Sequence, residues 1–320
     1  MQNPEAAATA EMTALMHAER ARIRATLARD GLTPRDFEAP DGAKALRYIA
    51  TVWAALLATA FAWQALPGAT ALALIPVIGV IQHAMLNIVH EASHDLLLRD
   101  RRRGGWVANL FAALPIAHTV ASYRVTHRDH HSFLRSTRDP SAYVTLPELT
   151  RRDIRRTVLQ LLGGRLVWEL VARSVAGRRF RSEDTAARND LRDTDRRRLL
   201  AVAAFHATSF GIAAGLGAVS FWVAWLVTVM TVTPTLDGLR TLVEHRSLPA
   251  DGAFHTRSHH RSTLASGLMA PFFQYHWEHH LFPAIPHHGL ARLHAHLLAA
   301  DDVGAQPAAG GFFGTLRQVL

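Results

Sequence analysis

The chain has 320 residues, 49% of them apolar, with a formal net charge of +9, twenty histidines and no cysteine. The missing thiols exclude disulfides, thiolate–zinc sites and cysteine nucleophiles, and the length suits one large domain or two small ones. Apolarity and charge coexist because they are segregated: residues 48–98 and 199–239 contain no Lys or Arg, while basic runs stand at Arg99–Arg103 and Arg196–Arg198, a pattern of charges flanking membrane spans rather than of a nucleic-acid-binding surface.

Residues 1–47 read as a soluble, helix-prone N-terminal arm. Glu19, Arg20, Arg22, Arg24 and Arg29 make a solvated helical face, interrupted at Pro34 and Pro40. No cleavable signal peptide is expected, since the first apolar run begins near Tyr48 behind mostly polar residues. Residues 48–66 are long and apolar enough to span a bilayer. The turn Leu66-Pro67-Gly68 follows, then a second span over residues 69–91. If helical to Leu98, this second segment is roughly 45 Å long. That exceeds the hydrocarbon thickness, so its C-terminal end, with His90 and His94, projects into the aqueous phase.

The uncharged stretch Gly104–Tyr123 is weakened by Gly104, Gly105 and Pro115 and reads as an in-plane or re-entrant segment. A true span there would put the first two histidine clusters on opposite faces. Residues 124–198 are polar, with an amphipathic patch at Val158–Val171. Residues 199–219 and 221–239 form a second hairpin, and residues 240–320 are polar except for Leu264–Tyr275, too short to cross. The expected architecture is an all-α integral membrane protein: four transmembrane helices in two hairpins under a cytoplasmic, histidine-rich helical cap. The membrane domain covers 48–300 and a C-terminal tail covers 301–320. The positive-inside rule puts the cap and both termini in the cytoplasm, in a bacterial cell on the inner membrane.

Three clusters carry the chemistry: His90-Glu91-Ala92-Ser93-His94, His127-Arg128-Asp129-His130-His131 and His276-Trp277-Glu278-His279-His280. Helical positions i, i+3 and i+4 share a face, so each cluster is expected to present His90 and His94, or His127, His130 and His131, or His276, His279 and His280, to one centre. These eight imidazoles exceed what one zinc accepts, so two metals are the natural count. Ligand type alone leaves iron, copper and zinc open.

Other histidines are read more plainly. His83 lies on the stripe His83, Asn87, His90, His94, too deep to ligate; it is a packed polar residue or part of a proton path. His255, His259 and His260 have helical spacing in a loop rich in Arg, Ser and Thr, and are read as a decoy. His118, His206, His287, His288, His294 and His296 are structural or exposed. Trp106, Phe111, Trp222 and Trp225 are lipid-facing or interfacial rather than channel-lining.

The order HxxxH, HxxHH, HxxHH, with an apolar hairpin before the first and third boxes, resembles the membrane-bound fatty acid desaturase superfamily of histidine-box di-iron desaturases and hydroxylases. The resemblance covers roughly residues 45–300. Local matches are Asp139-Pro140 after the second box, and Tyr275 before and Leu281-Phe282-Pro283 after the third. The resemblance implies a non-haem centre of two Fe ions, dioxygen as co-substrate, and desaturation of a fatty acyl or similar lipid chain. A hydroxylase or ketolase acting on a lipid-like substrate uses the same scaffold. It also implies a ninth ligand, His245, in Arg240-Thr241-Leu242-Val243-Glu244-His245, and no catalytic residue beyond the ligands. Carboxylates are needed to hold the ring tautomers; Glu91, Asp95, Asp129, Glu244 and Glu278 are the candidates. No fused haem-binding domain is visible, so electrons are expected from a separate small ferredoxin- or cytochrome-like protein. The Arg-rich face suits an acidic partner and anionic headgroups alike.

Two other readings compete. His90-Glu91-Ala92-Ser93-His94 matches the HExxH zinc-protease signature, and Pro234-Thr235-Leu236-Asp237-Gly238 would make Asp237 its third ligand, as in intramembrane proteases. This leaves the second and third boxes unexplained. A metal transporter should hold ligands near the bilayer midplane, whereas all three boxes fall at one face.

Overall fold

The computed structural model describes residues 4–134, 136–146, 149–164, 185–246, 256–258, 274–301 and 311–320. His255, His259 and His260 lie outside the described residues. All regular structure among the described residues is helical, and four helical segments are long and apolar enough to cross a membrane: Gly42–Ala65, Gly68–Ser93, Arg197–Gly215 and Val219–His245.

Helix α1 (Pro4–Arg29) is less solvated than its Arg-rich sequence suggests. Ile23 and Leu27, one turn apart, are fully buried. With Phe37 they pack on Trp277, Leu281, Phe282 and Leu290. Arg20 donates to the carbonyls of Leu281 at 2.7 Å and His280 at 3.3 Å. One face of the arm is therefore a lid on the third histidine box, and only the other matches the expected solvated helix.

Helix α2 (Gly42–Ala65) starts where Asp41 accepts from the Lys44 amide and ends before Pro67, which cannot continue it. A 3₁₀ turn, Gly68–Leu74, leads into α3 (Ile75–Ser93). Helix α3 does not reach Leu98: His94 is its C-cap and Asp95 takes a left-handed φ of 62°. The stop is closed locally by the Leu96 amide donating to the Glu91 carbonyl at 3.1 Å, and Arg124 reinforces it: its guanidinium donates to the Ser93 carbonyl at 2.8 Å and the Ala92 carbonyl at 3.1 Å, and pairs with Asp95 at 2.5 Å. A cation satisfying the last carbonyls is a favourable helix stop.

Helix α4 (Arg101–Ala108) runs through a π turn and a 3₁₀ turn to Ile116, and α5 (Val120–Phe133) leaves at 84°. The Asn109 side chain ties the bend by accepting from the Val120 amide at 3.0 Å and donating to the Gly105 carbonyl at 2.9 Å. Trp225 is buried and donates to the Pro115 carbonyl at 2.7 Å, so it clamps this bend rather than facing lipid.

After α6 (Ala142–Thr145) and α7 (Arg151–Leu162), α8 (Thr185–Gly215) carries the third apolar stretch. Helices α9 (Val219–Met230) and α10 (Val232–His245) form the fourth, with a break in backbone angles at Thr231. Helix α3 packs against α2, α5, α9 and α10. At Gly79 a Cβ would lie 2.5 Å from Val232, so glycine permits the close approach of α3 and α10. Gln82 adds polar ties, donating to the Trp225 carbonyl at 2.9 Å and accepting from the Thr233 hydroxyl at 2.6 Å. Apolar side chains such as Phe61 and Leu216 point outward, 78% and 74% exposed, as lipid-facing residues should.

Helix α11 (His276–Leu281) packs on α12 (His287–Ala299), and α13 (Gly311–Val319) packs on α10. Gly289 fits where a Cβ would meet the Phe37 carbonyl at 2.1 Å, which docks α12 on the segment after α1.

Candidate metal centre

The nine histidines named from the sequence come together. Helix α3 delivers His90 and its C-cap His94. Helix α5 delivers His127, His130 and His131, α10 ends on His245, and α11 delivers His276, His279 and His280. Eight of them form two groups whose ring nitrogens lie within 4.8 Å of one another: His90, His94, His127 and His279, and His130, His245, His276 and His280. His131 stands between them. Its Nε2 is 3.0 Å from His127 Nε2 and 3.1 Å from His279 Nε2, while its ring stacks on His280 at 4.2 Å.

This corrects the expectation that each box serves one centre. The second box sends His127 to the first group and His130 to the other, with His131 between them. The third does the reverse, with His276 and His280 in the second group and His279 in the first. The reason is helical geometry. Residues i and i+4 nearly coincide in projection, but neighbours i+3 and i+4 diverge by ~100° at 3.6 residues per turn. Helices α5 and α11 lie between the groups, so each feeds both.

The arrangement fits metal ions. Close Nε2–Nε2 separations are 3.1 Å for His90–His279, 2.9 Å for His245–His276 and 3.1 Å for His276–His280. Two nitrogens at right angles around a metal, each at about 2.1 Å, are about 3 Å apart. Four rings outside the spans, His94, His276, His279 and His280, are held toward the neutral form that a metal needs. Burial, then nearby Arg124, pushes His94 down to about 4. Burial, then neighbouring imidazoles, holds His276, His279 and His280 well below the ordinary histidine value.

The carboxylates around the site divide differently from expectation. Asp139, which the sequence offered only as part of Asp139-Pro140, accepts from His130 Nδ1 at 2.9 Å. It is buried and also accepts from the Ser141 amide at 2.8 Å. A buried Asp nine residues beyond a ligating histidine has no periodic signature, so sequence reasoning passed over its role. Glu244 lies 3.5 Å from His276 Nε2 and 3.2 Å from Arg240. Glu278 instead binds His294 Nδ1 and the Ser258 hydroxyl, and Asp95 binds Arg124.

Glu91 turns to the start of α12, where it accepts from the His287 amide at 2.9 Å. A zinc protease would need this carboxylate aimed at a water between His90 and His94. Asp237 belongs to neither histidine group; its Oδ1 lies 3.3 Å from Arg240 and 4.0 Å from His83. His83 itself is fully buried, as a packed polar residue would be.

A cavity of about 490 Å³ opens on the histidines, reaching His127, His130, His245 and His276. Its walls are mixed: Leu86, Ile116, Val229 and Met230 are apolar, while Tyr123, Tyr143, Asp237 and Arg240 are not. His118, expected to be structural or exposed, also lines it.

Among comparisons with known proteins, the sequence profile described as Fatty acid desaturase matches residues 63–306, which include all nine histidines. No curated protein and no solved structure matches the chain.

Proposed function

The chain belongs to the fatty acid desaturase family, and on that premise we propose that it is a membrane oxidoreductase that desaturates a fatty acyl or similar lipid chain with two non-haem irons and dioxygen. The balance is R–CH2–CH2–R′ + O2 + 2 e⁻ + 2 H⁺ → R–CH=CH–R′ + 2 H2O. The observation that carries the reading is the two-group arrangement of buried histidines at ligand-edge spacing. In this reading His90, His94, His127, His131 and His279 hold one iron and His130, His245, His276 and His280 the other. The irons, when bound, supply dioxygen reduction and the oxidising power to remove hydrogen from an unactivated C–H bond.

The chain does the rest. Burial favours the neutral form of His94, His276, His279 and His280 and excludes bulk water, which protects a reactive centre from side reactions. Asp139 fixes the His130 tautomer, and Arg124 holds the end of α3 against α5 so that the first two boxes meet. The cavity brings a substrate carbon beside both groups. Basic runs at Arg99–Arg103 and Arg196–Arg198 favour a cytoplasmic site. There a separate small ferredoxin- or cytochrome-like protein would deliver the two electrons.

Metal analysis of the purified protein, joined to product identification by mass spectrometry, tests this. Two irons per chain and a product lighter by two hydrogens support desaturation. A gain of one oxygen moves the reaction to hydroxylation or ketone formation on the same scaffold. One zinc without oxidation, or metal flux in proteoliposomes, overturns it.

A further inference from the structure

The cavity wall contains something a hydrocarbon substrate does not call for. Asp237 and Arg240 stand on α10 within the fourth apolar stretch and both line the cavity. Arg240 is 9% exposed and spans Asp237 at 3.3 Å and Glu244 at 3.2 Å. Asp237 is different: its side chain is 30% exposed, and both Arg240 and His83 approach the same oxygen, Oδ1. A carboxylate has about four acceptor positions, so Oδ2 is the acceptor offered to the cavity. The Tyr123 and Tyr143 side chains line the same space.

Filling this cavity with an alkyl chain would strip water from Asp237 and return no hydrogen bond, which is costly in a low-dielectric interior. A substrate that donates a hydrogen bond repairs the loss. Position adds a second constraint. Asp237 and His245 are eight residues apart on one helix, about 12 Å along its axis, so a group bound at Asp237 sits at a fixed reach from the histidines.

Resting on the reading that this cavity holds the substrate of the histidine centre, we propose that the substrate carries a hydrogen-bond-donating group, a hydroxyl or amide N–H, bound by Asp237, and that the oxidised carbon is counted from that polar end. The alkyl chain then runs from Asp237 toward His127, His130, His245 and His276, which line the same cavity. An alkane or a group carrying only negative charge is disfavoured beside the carboxylate.

The test uses the full-length protein in lipid nanodiscs. Binding of 1-alkanols and alkanes of matched chain length is measured by thermal shift without reductant, and products are mapped by mass spectrometry with an electron donor added. Alkanols should bind at least tenfold more tightly than alkanes. The oxidised carbon should stay at one distance from the hydroxyl as the chain lengthens. Asp237→Leu should erase the preference, and Asp237→Asn, which keeps an acceptor and the shape, should retain part of it and controls for folding. Equal binding of alkanes and alkanols, an unchanged preference in Asp237→Leu, or a position counted from the methyl end would overturn the proposal. Alkanol preference with no oxidation of any substrate by the iron-loaded protein supports the Asp237 site while removing the oxidase reading.

Discussion

Asp139 accepts a hydrogen bond from His130 Nδ1 at 2.9 Å, both groups being buried, and the ring's other nitrogen is left to face His245, His276 and His280. A carboxylate in this position fixes the tautomer and raises the basicity of the ring as a ligand. Asp139→Asn keeps the shape but loses the charge. It should weaken metal binding at this group about 10–100-fold while the His90–His94–His127–His279 group still loads. Cobalt(II) titration of the metal-free protein, followed by visible absorption, should show one of two equivalents lost. Loss of both, or neither, would contradict the assignment.

Arg124 joins the first two boxes by capping α3 from α5. Its side chain is 45% exposed and Asp95 is 34% exposed, so the ion pair itself contributes little. The bonds to the Ala92 and Ser93 carbonyls matter more, at about 1.5–3 kcal/mol for charge-assisted bonds. Arg124→Gln should lower thermal stability by that order and reduce metal loading at the His90 group first. Arg124→Lys should rescue only in part, because one ammonium cannot reproduce the guanidinium fork.

The pH dependence has a definite sign. His94, His276, His279 and His280 are shifted downward in the fold, mainly by burial, and return to about 6.5 when unfolded. Below pH 6.5 the unfolded chain therefore binds protons that the folded chain refuses, and stability falls as pH falls. For His94 the loss continues until pH approaches about 4. Thermal unfolding of the metal-free protein should show a lower midpoint at pH 5.5 than at pH 7.5. A flat or inverted profile would show that these rings are not buried neutral.

Glu91 separates the oxidase from the protease it resembles locally. As the acceptor for the His287 amide it acts at the start of α12, a role worth about 0.5–2 kcal/mol for capping groups. Glu91→Ala should cost stability within that range, while Glu91→Gln, which keeps an acceptor oxygen, should cost less and leave oxidation within severalfold of wild type. Abolished activity with unchanged folding and metal content would mean the carboxylate works in the chemistry.

Much of this molecule was legible because the relevant signals are local. The charge-free blocks identify apolar helices one at a time, and the spacings within 90–94, 127–131 and 276–280 identify histidines on common faces. Other features had no local mark. Ile23 and Leu27 are a minimal apolar pair in an Arg-rich arm, and their burial depends on α11 and α12, some 250 residues away. The last carbonyls of α3 are satisfied in part by Arg124 on another helix.

By itself, then, the sequence determined the apolar helices, the histidine set and the family pattern, since each is written within a few turns of chain. The tertiary structure decided how the histidines divide. His127 and His130 are one helical turn apart on α5, yet the packing of α3, α10 and α11 on either side sends them to different groups, with His131 between. The same packing decided which carboxylate serves the site. Asp139 reaches His130, while Glu91 and Glu278, inside the boxes, are turned to α12 and its His294. Spacing specifies direction along one helix axis, whereas a metal centre is defined by where several axes converge.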